Sequence, residues 1–304
     1  MEYINNLLSQ IIIYTTTYAL ASLGIVIGGR TGIFNISGEG TMLSAASIGF
    51  TIAYFTKSWI LGLIGGAIVG GIFAFILVYI HESWRVNQFI IGIALVIFGS
   101  GISDLFYKLI FGVKLFLPEA PPVTQIAIPG TSSIPIISAV VNQNAVVYLT
   151  YLFTFIAYYI FYKTRLGLNL RAIGEDPKAA DVVGIKVRTA RYTTSIIGGM
   201  LIGMAGTYLP LVITGTYTSG ITNGRGFMAI GIAIFASWRP ERTLLGALIF
   251  AAIEVIAFNM QLGSSLIPYH FLLMLPFVAL LIIMMIFKKN IEYPASLGKP
   301  YSRE

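Results

Sequence analysis

Long apolar runs separated by short polar segments organise this chain. Residues 10–29 and 59–80 carry no charge and are each long enough to cross a bilayer as a helix, as is 145–162 with slight tilt. Weaker or interrupted runs cover 41–56, 88–110, 192–213, 226–238, 243–260 and 268–287. None has the strict alternation of a membrane barrel strand, so helix is the predicted state throughout. The predicted fold is all-α, a single transmembrane domain over residues 1–304, with about eight to ten spans at ~20 apolar residues per crossing. The run 226–238 stands apart. At ~1.5 Å per residue it reaches only about 20 Å, less than the hydrocarbon core. It is therefore either a half-span, or 215–225 adds unwound backbone to the crossing.

Composition agrees with a membrane domain: of 304 residues, 57% are hydrophobic and only 10% charged, where a soluble domain carries about a quarter charged residues. The net charge of +7 reflects topology rather than nucleic-acid binding, because the basic residues sit in short segments between uncharged runs. The stretch 163–191 holds seven of them, from Lys163 to Arg191, and the C-terminal tail adds Lys288, Lys289, Lys299 and Arg303. The positive-inside rule puts both segments in the cytoplasm, and counting crossings backwards leaves residue 1 outside. The proline-bearing stretch 111–144 becomes an extracellular loop without a continuous helix. Met1-Glu2-Tyr3 lacks the basic leader of a secretory signal peptide, so the first apolar run is expected to stay in the mature protein.

Two segments echo each other. Gly32-Ile-Phe-Asn35 followed by Gly38-Glu-Gly-Thr-Met42 is similar to Gly220-Ile-Thr-Asn223 followed by Gly224-Arg-Gly-Phe-Met228, apart from a two-residue gap. In the topology above, one copy opens a helix running outward and the other a helix running inward. An inverted repeat requires this arrangement, and its Gly-broken helices mark the solute path in many transporters. Chance similarity of glycine-rich helix starts is the competing explanation. Glu39 and Arg225 hold equivalent places with opposite charge. A buried pair between them would remove a penalty of at least ~2.5 kcal/mol per isolated charge; otherwise each lies solvated near a membrane face. Glu254, within an apolar run, must face the bundle interior, water or a partner, either as a solute-path group or as a neutral packing residue. Asn35, Asn87, Gln88 and Asn223 offer hydrogen bonds to a polar solute or, equally, helix caps.

Catalytic chemistry is sparse. The chain has no cysteine and two histidines, neither with a metal-ligand partner at helical spacing. No Gly-rich loop ends in Lys-Ser or Lys-Thr, so ATP is not bound here by a P-loop. No cofactor and no resident metal is expected, and a coupled energy source must lie on another polypeptide. An ion-coupled carrier would need a relay of intramembrane carboxylates, for which Glu254 and Asp104 are too few.

Within 163–191, Asp176 suits an N-cap, Pro177 the first helical position and Gly184 the stop. A helix of about two turns from Pro177 to Val183 results, presenting Ala179 and Ala180 to a partner. An ordinary solvated loop is the plain alternative. Residues 171–185, Arg-Ala-Ile-Gly-Glu-Asp-Pro-Lys-Ala-Ala-Asp-Val-Val-Gly-Ile, resemble the cytoplasmic signature of ABC permeases of the ribose and branched-chain amino acid class. Arg30-Thr-Gly-Ile-Phe-Asn-Ile-Ser-Gly-Glu-Gly40, Arg85-Val-Asn-Gln88, Gly224-Arg-Gly-Phe227 and the ending Leu297–Glu304 together resemble the nucleoside-type branch. The resemblance implies a plasma-membrane importer subunit with an ABC ATPase, a second and different permease and an extracellular solute-binding protein as partners. It also implies ATPase docking through Arg171, Gly174, Glu175, Pro177, Ala179, Ala180 and Gly184. The solute is expected to be a nucleoside, with a monosaccharide such as ribose as the alternative. The expected solute path involves Asn35, Glu39, Asn87, Gln88, Asn223, Arg225 and Glu254.

Overall fold

The computed structural model describes residues 2–112, 117–127, 135–263, 269–287 and 291–302. Nine helices correspond to the nine apolar runs: α1 (Glu2–Gly29), α2 (Gly38–Thr56), α3 (Trp59–Trp84), α4 (Gln88–Phe111), α6 (Ala145–Lys163), α9 (Val187–Tyr208), α10 (Arg225–Phe235), α11 (Pro240–Gly263) and α12 (Tyr269–Phe287). The described residues also hold the short helices α5 (Pro135–Val141), α7 (Arg165–Glu175) and α8 (Pro177–Val182). A two-residue ladder joins β1 (Gln125–Ile126) to β2 (Gln143–Asn144) in the 111–144 stretch. Lys288, Lys289 and Arg303, counted above for orientation, lie outside the described residues.

Among the described residues, six helices, α1, α3, α4, α6, α9 with its continuation to Ile213, and α11, are long and apolar enough to cross a membrane. Helix α1 is the axis of the bundle. In its most apolar stretch 89% of residues are buried, against 28% in α4 and 33% in α6, which turn apolar side chains outward as a bilayer requires. Lipid supplies no hydrophobic drive for helix association, so close packing must come from small residues. A Cβ placed on Gly198 of α9 would lie 2.3 Å from Gly24 O of α1, and one on Gly70 of α3 would lie 2.1 Å from Gly199 O of α9. The α1, α3 and α9 backbones touch through these glycines.

Two segments of unwound backbone interrupt the helices, one buried within the bundle and one largely exposed. After α1, residues 30–37 are non-helical yet mostly buried. Gln88, at the start of α4, accepts a hydrogen bond from Phe34 N at 2.6 Å and donates to Gly32 O at 3.4 Å. Non-helical backbone at membrane depth persists only where protein groups satisfy it in this way. The second unwound segment follows α9, which passes through a π-type turn at Leu209–Ile213 containing Pro210. Proline lacks the N–H that would continue the ladder. Residues 214–224 then run to α10, tethered to α4 where Asp104 accepts from Ser219 Oγ at 2.6 Å and from Tyr217 OH at 3.3 Å. Helix α10 ends at Phe235, not at residue 238, because Ser237 and Trp238 have φ of 51° and 58° and turn the chain. Helix α10 is thus a short helix of 11 residues, and non-helical backbone leads into it.

Candidate functional site: the meeting of two helix starts

The starts of α2 and α10 abut. A Cβ on Gly226 would lie 2.4 Å from Glu39 N, so only glycine allows this approach. Glu39, 7% exposed, caps its neighbour: Oε1 accepts from Thr222 Oγ1 at 2.5 Å and Gly224 N at 2.8 Å, and Oε2 accepts from Gly226 N at 2.7 Å. A carboxylate there satisfies the free N–H groups of α10 and complements the positive end of its dipole.

Arg225 turns the other way. Its Nη2 meets Glu254 Oε1 of α11 at 2.6 Å, and Nη1 donates to Ile221 O at 3.1 Å. Glu254 Oε2 accepts from Tyr18 OH at 2.7 Å, while the Arg225 guanidinium lies 5.5 Å from the Tyr14 ring centroid. Neither alternative holds: Glu39 and Arg225 do not pair with each other, and neither side chain is freely solvated. Each has its own partner on another helix. Glu254, left open by the sequence, is an ionic partner that also borders a cavity. That cavity, about 240 Å³, is lined by Tyr14, Tyr18, Asn223, Arg225, Glu254 and Gln261 with apolar side chains of α10, α11 and α12.

The other candidates divide. Asn35 is buried at the unwound link, and its Oδ1 accepts from Ser37 N at 3.0 Å and Ser37 Oγ at 2.7 Å. Asn87 is a helix cap, accepting from Phe89 N at 2.8 Å, and Gln88 braces the link. Neither Asn87 nor Gln88 lines the cavity.

The 163–191 segment holds one helix more than expected. Helix α7 is capped by Thr164, whose hydroxyl accepts from Gly167 N at 3.1 Å. As expected, Asp176 caps α8, accepting from Lys178 N and Ala179 N at 2.9 and 3.1 Å, and Gly184 stops it at φ 86°. Glu175, Ala179 and Gly184 are exposed, with Arg171 and Pro177 half-buried. Two expected outward residues point inward. A Cβ on Gly174 would lie 2.2 Å from Arg30 O, and Ala180 packs with Ile173, Val187 and Tyr301. Beside Ala179, the large outward apolar residues of α8 and its stop are Val182 and Val183, 87% and 75% exposed. The sequence signal for them is a valine pair at the stop of a six-residue helix, too short to have a buried face of its own.

The profile of the family described as branched-chain amino acid transport system / permease component matches residues 7–287. The chain belongs to this family. Among its relatives, guanosine ABC transporter permease protein NupQ of Bacillus subtilis is 29% identical over 95% of this chain and 94% of its own. Nucleoside ABC transporter permease protein NupC of Lactococcus lactis is 27% identical over 99% of both chains. TsgC13 of Haloferax volcanii, provisionally named a glucose ABC transporter permease, is 32% identical over 86% of this chain and 79% of its own. This protein is thus a multi-pass permease subunit of an ABC transporter in the plasma membrane, and ATP is hydrolysed on a separate ATPase subunit. The ion-coupled reading falls with that membership.

Proposed function

We propose that this permease carries nucleosides inward by alternating access, along a path that passes the meeting of α2 and α10 and the cavity beside Arg225 and Glu254. The observation that carries the site is the ionic pair itself. An arginine and a glutamate that neutralise each other leave a polar cavity with no net charge, flanked by tyrosine rings and amide groups. Such a lining suits an uncharged solute with an aromatic base and several hydroxyls. Two relatives named for guanosine and nucleoside transport favour the same solute class. The relative named for glucose favours a monosaccharide as the second reading.

In this reading the N-terminus and the 111–144 stretch face outward, where a solute-binding protein delivers its cargo, and a second, different permease completes the pore. The ATPase docks on 171–185 from the cytoplasm through Glu175, Ala179, Val182 and Val183. The test is uptake of radiolabelled guanosine by the complete transporter in proteoliposomes, with unlabelled nucleosides, ribose and glucose as competitors. Competition by nucleosides alone supports the first reading. Absence of guanosine uptake, with uptake of radiolabelled ribose or glucose in its place, transfers the assignment to a sugar.

A further inference from the structure

The C-terminal segment lies between the docking segment and the unwound link. On one side, Ser296 N donates to Gly174 O at 2.9 Å, and the Ser296 hydroxyl lies 2.8 Å from Gly174 O and 3.1 Å from Ile173 O, both in α7. Tyr301, 6% exposed, packs with Ile173, Ala180 and Val187. On the other side, Gly298 N donates to Gly32 O at 2.9 Å, at the head of the 30–37 link. A Cβ on Gly32 would lie 2.7 Å from Ser296 Oγ, so the contact is close.

Arg191 of α9 holds these parts together. Its side chain is wholly buried, pairs with Glu82 of α3 at 2.6 Å, and donates to Thr31 O and Lys299 O at 2.9 Å each. One guanidinium thereby joins the unwound link, the C-terminal segment and two spanning helices. Its planar fork can serve several acceptors at once, which a lysine ammonium does less well. The link then runs seven residues from Gly32 to Glu39, the cap of α10.

We propose that residues 294–301, clamped by Arg191, transmit movement of the docking segment to the 30–37 link and so to the start of α10. Arg191, Ser296 and Gly298 are then positioning residues for transport, touching neither solute nor nucleotide. The proposal rests on the reading of 171–185 as the docking segment. It supplies a continuous physical connection of packed and hydrogen-bonded groups, the kind through which coupling between distant sites travels.

The test uses the complete transporter in proteoliposomes, with ATPase co-purification, basal hydrolysis and uptake read separately. Arg191→Gln combined with Glu82→Gln leaves no buried charge unpaired, and Gly298→Val strains a residue whose φ is 78°. Uptake should fall by at least about fivefold, the lower end of coupling between sites, while ATPase association stays within about twofold. Ser296→Thr, which keeps the hydroxyl, should retain uptake. Full uptake in both disrupting variants overturns the proposal. So does loss of the ATPase from a folded variant, because the segment would then shape docking rather than transmit motion. Should the variants fail to fold, a lone cysteine at Leu297→Cys in this cysteine-free chain decides. Its labelling rate should change when the ATPase binds a non-hydrolysable nucleotide, and an unchanged rate overturns the proposal. The docking reading fails separately, if Val182→Glu and Glu175→Lys leave ATPase association intact.

Discussion

Arg225 reaches Glu254 across 2.6 Å, and Glu39, though adjacent through its bond to Gly226 N, takes no part in that pair. Helices α10 and α11 are thereby tied by charge, whereas α2 and α10 are tied by a carboxylate on backbone amides. The two attachments differ in what each substitution exposes.

Removing one member of the ionic pair leaves the other charge partly buried and unpaired. For a buried pair that costs roughly 3–5 kcal/mol, and the residual exposure here places the cost toward or below the lower end. Arg225→Gln and Glu254→Gln should each lower thermal stability. The double variant should regain most of it, and Arg225→Glu with Glu254→Arg should rescue both. Additive losses measured by thermal unfolding in detergent would contradict the pairing. The swap Glu39→Arg with Arg225→Glu should fail to rescue, because it places a cation against the α10 amides.

Glu39→Gln keeps an acceptor at the α10 start and removes the charge. A carboxylate near a helix N-terminus contributes about 0.3–1 kcal/mol when exposed and up to ~2 kcal/mol when partly buried. The variant should therefore unfold at a modestly lower temperature, and Glu39→Ala, which leaves the Gly224 and Gly226 amides without an acceptor, at a clearly lower one. Equal melting temperatures for Gln and Ala would refute the capping role.

Val182→Glu and Glu175→Lys alter exposed positions of the docking segment and should reduce ATPase co-purification without affecting membrane insertion. Gly174 is unsuited to that test. Any side chain there meets the Arg30 carbonyl, so its replacement would perturb the junction of α7 with the end of α1. Normal ATPase recovery with both surface variants would move the docking site elsewhere.

The legible parts of this chain are those governed by local rules. Apolar runs mark the nine apolar helices because a bilayer demands them, and Asp176, Pro177 and Gly184 mark α8 because caps act within a few residues. Three-dimensional partners were not legible. Nothing in the spacing of Glu39, Arg225 and Glu254 says which two meet, since α11 lies beside α1 only after folding. By sequence Arg191 belongs to the basic segment between two apolar runs, yet it is wholly buried. Its partner Glu82, more than a hundred residues earlier, is what makes that placement tolerable. Helix α7 is not legible in the sequence because its amphipathic run contains Gly167 and Gly174, residues that read as breakers. Both are packing contacts, against Ile160 O and Arg30 O.

The orientation of the bundle yields the last prediction. Positive charge concentrates in 163–191, and α7 and α8 bring much of it to one end, beside the C-terminal segment and the end of α1, where Arg30 Nε donates to Trp238 O just past α10. That end should be cytoplasmic. Glu119 is exposed in the segment that hydrogen-bonds to Gly215 through Ala120 N at 2.8 Å, far along the chain from any of those contacts. Because the native chain has no cysteine, single substitutions report position without background. Glu119→Cys should react with a membrane-impermeant maleimide on intact cells, and Ala179→Cys only after permeabilisation. Reaction of both from the same side would break the assignment, since an odd number of crossings must separate them. Reversed labelling would keep the crossing count and place the docking segment outside, where no ATPase can reach it.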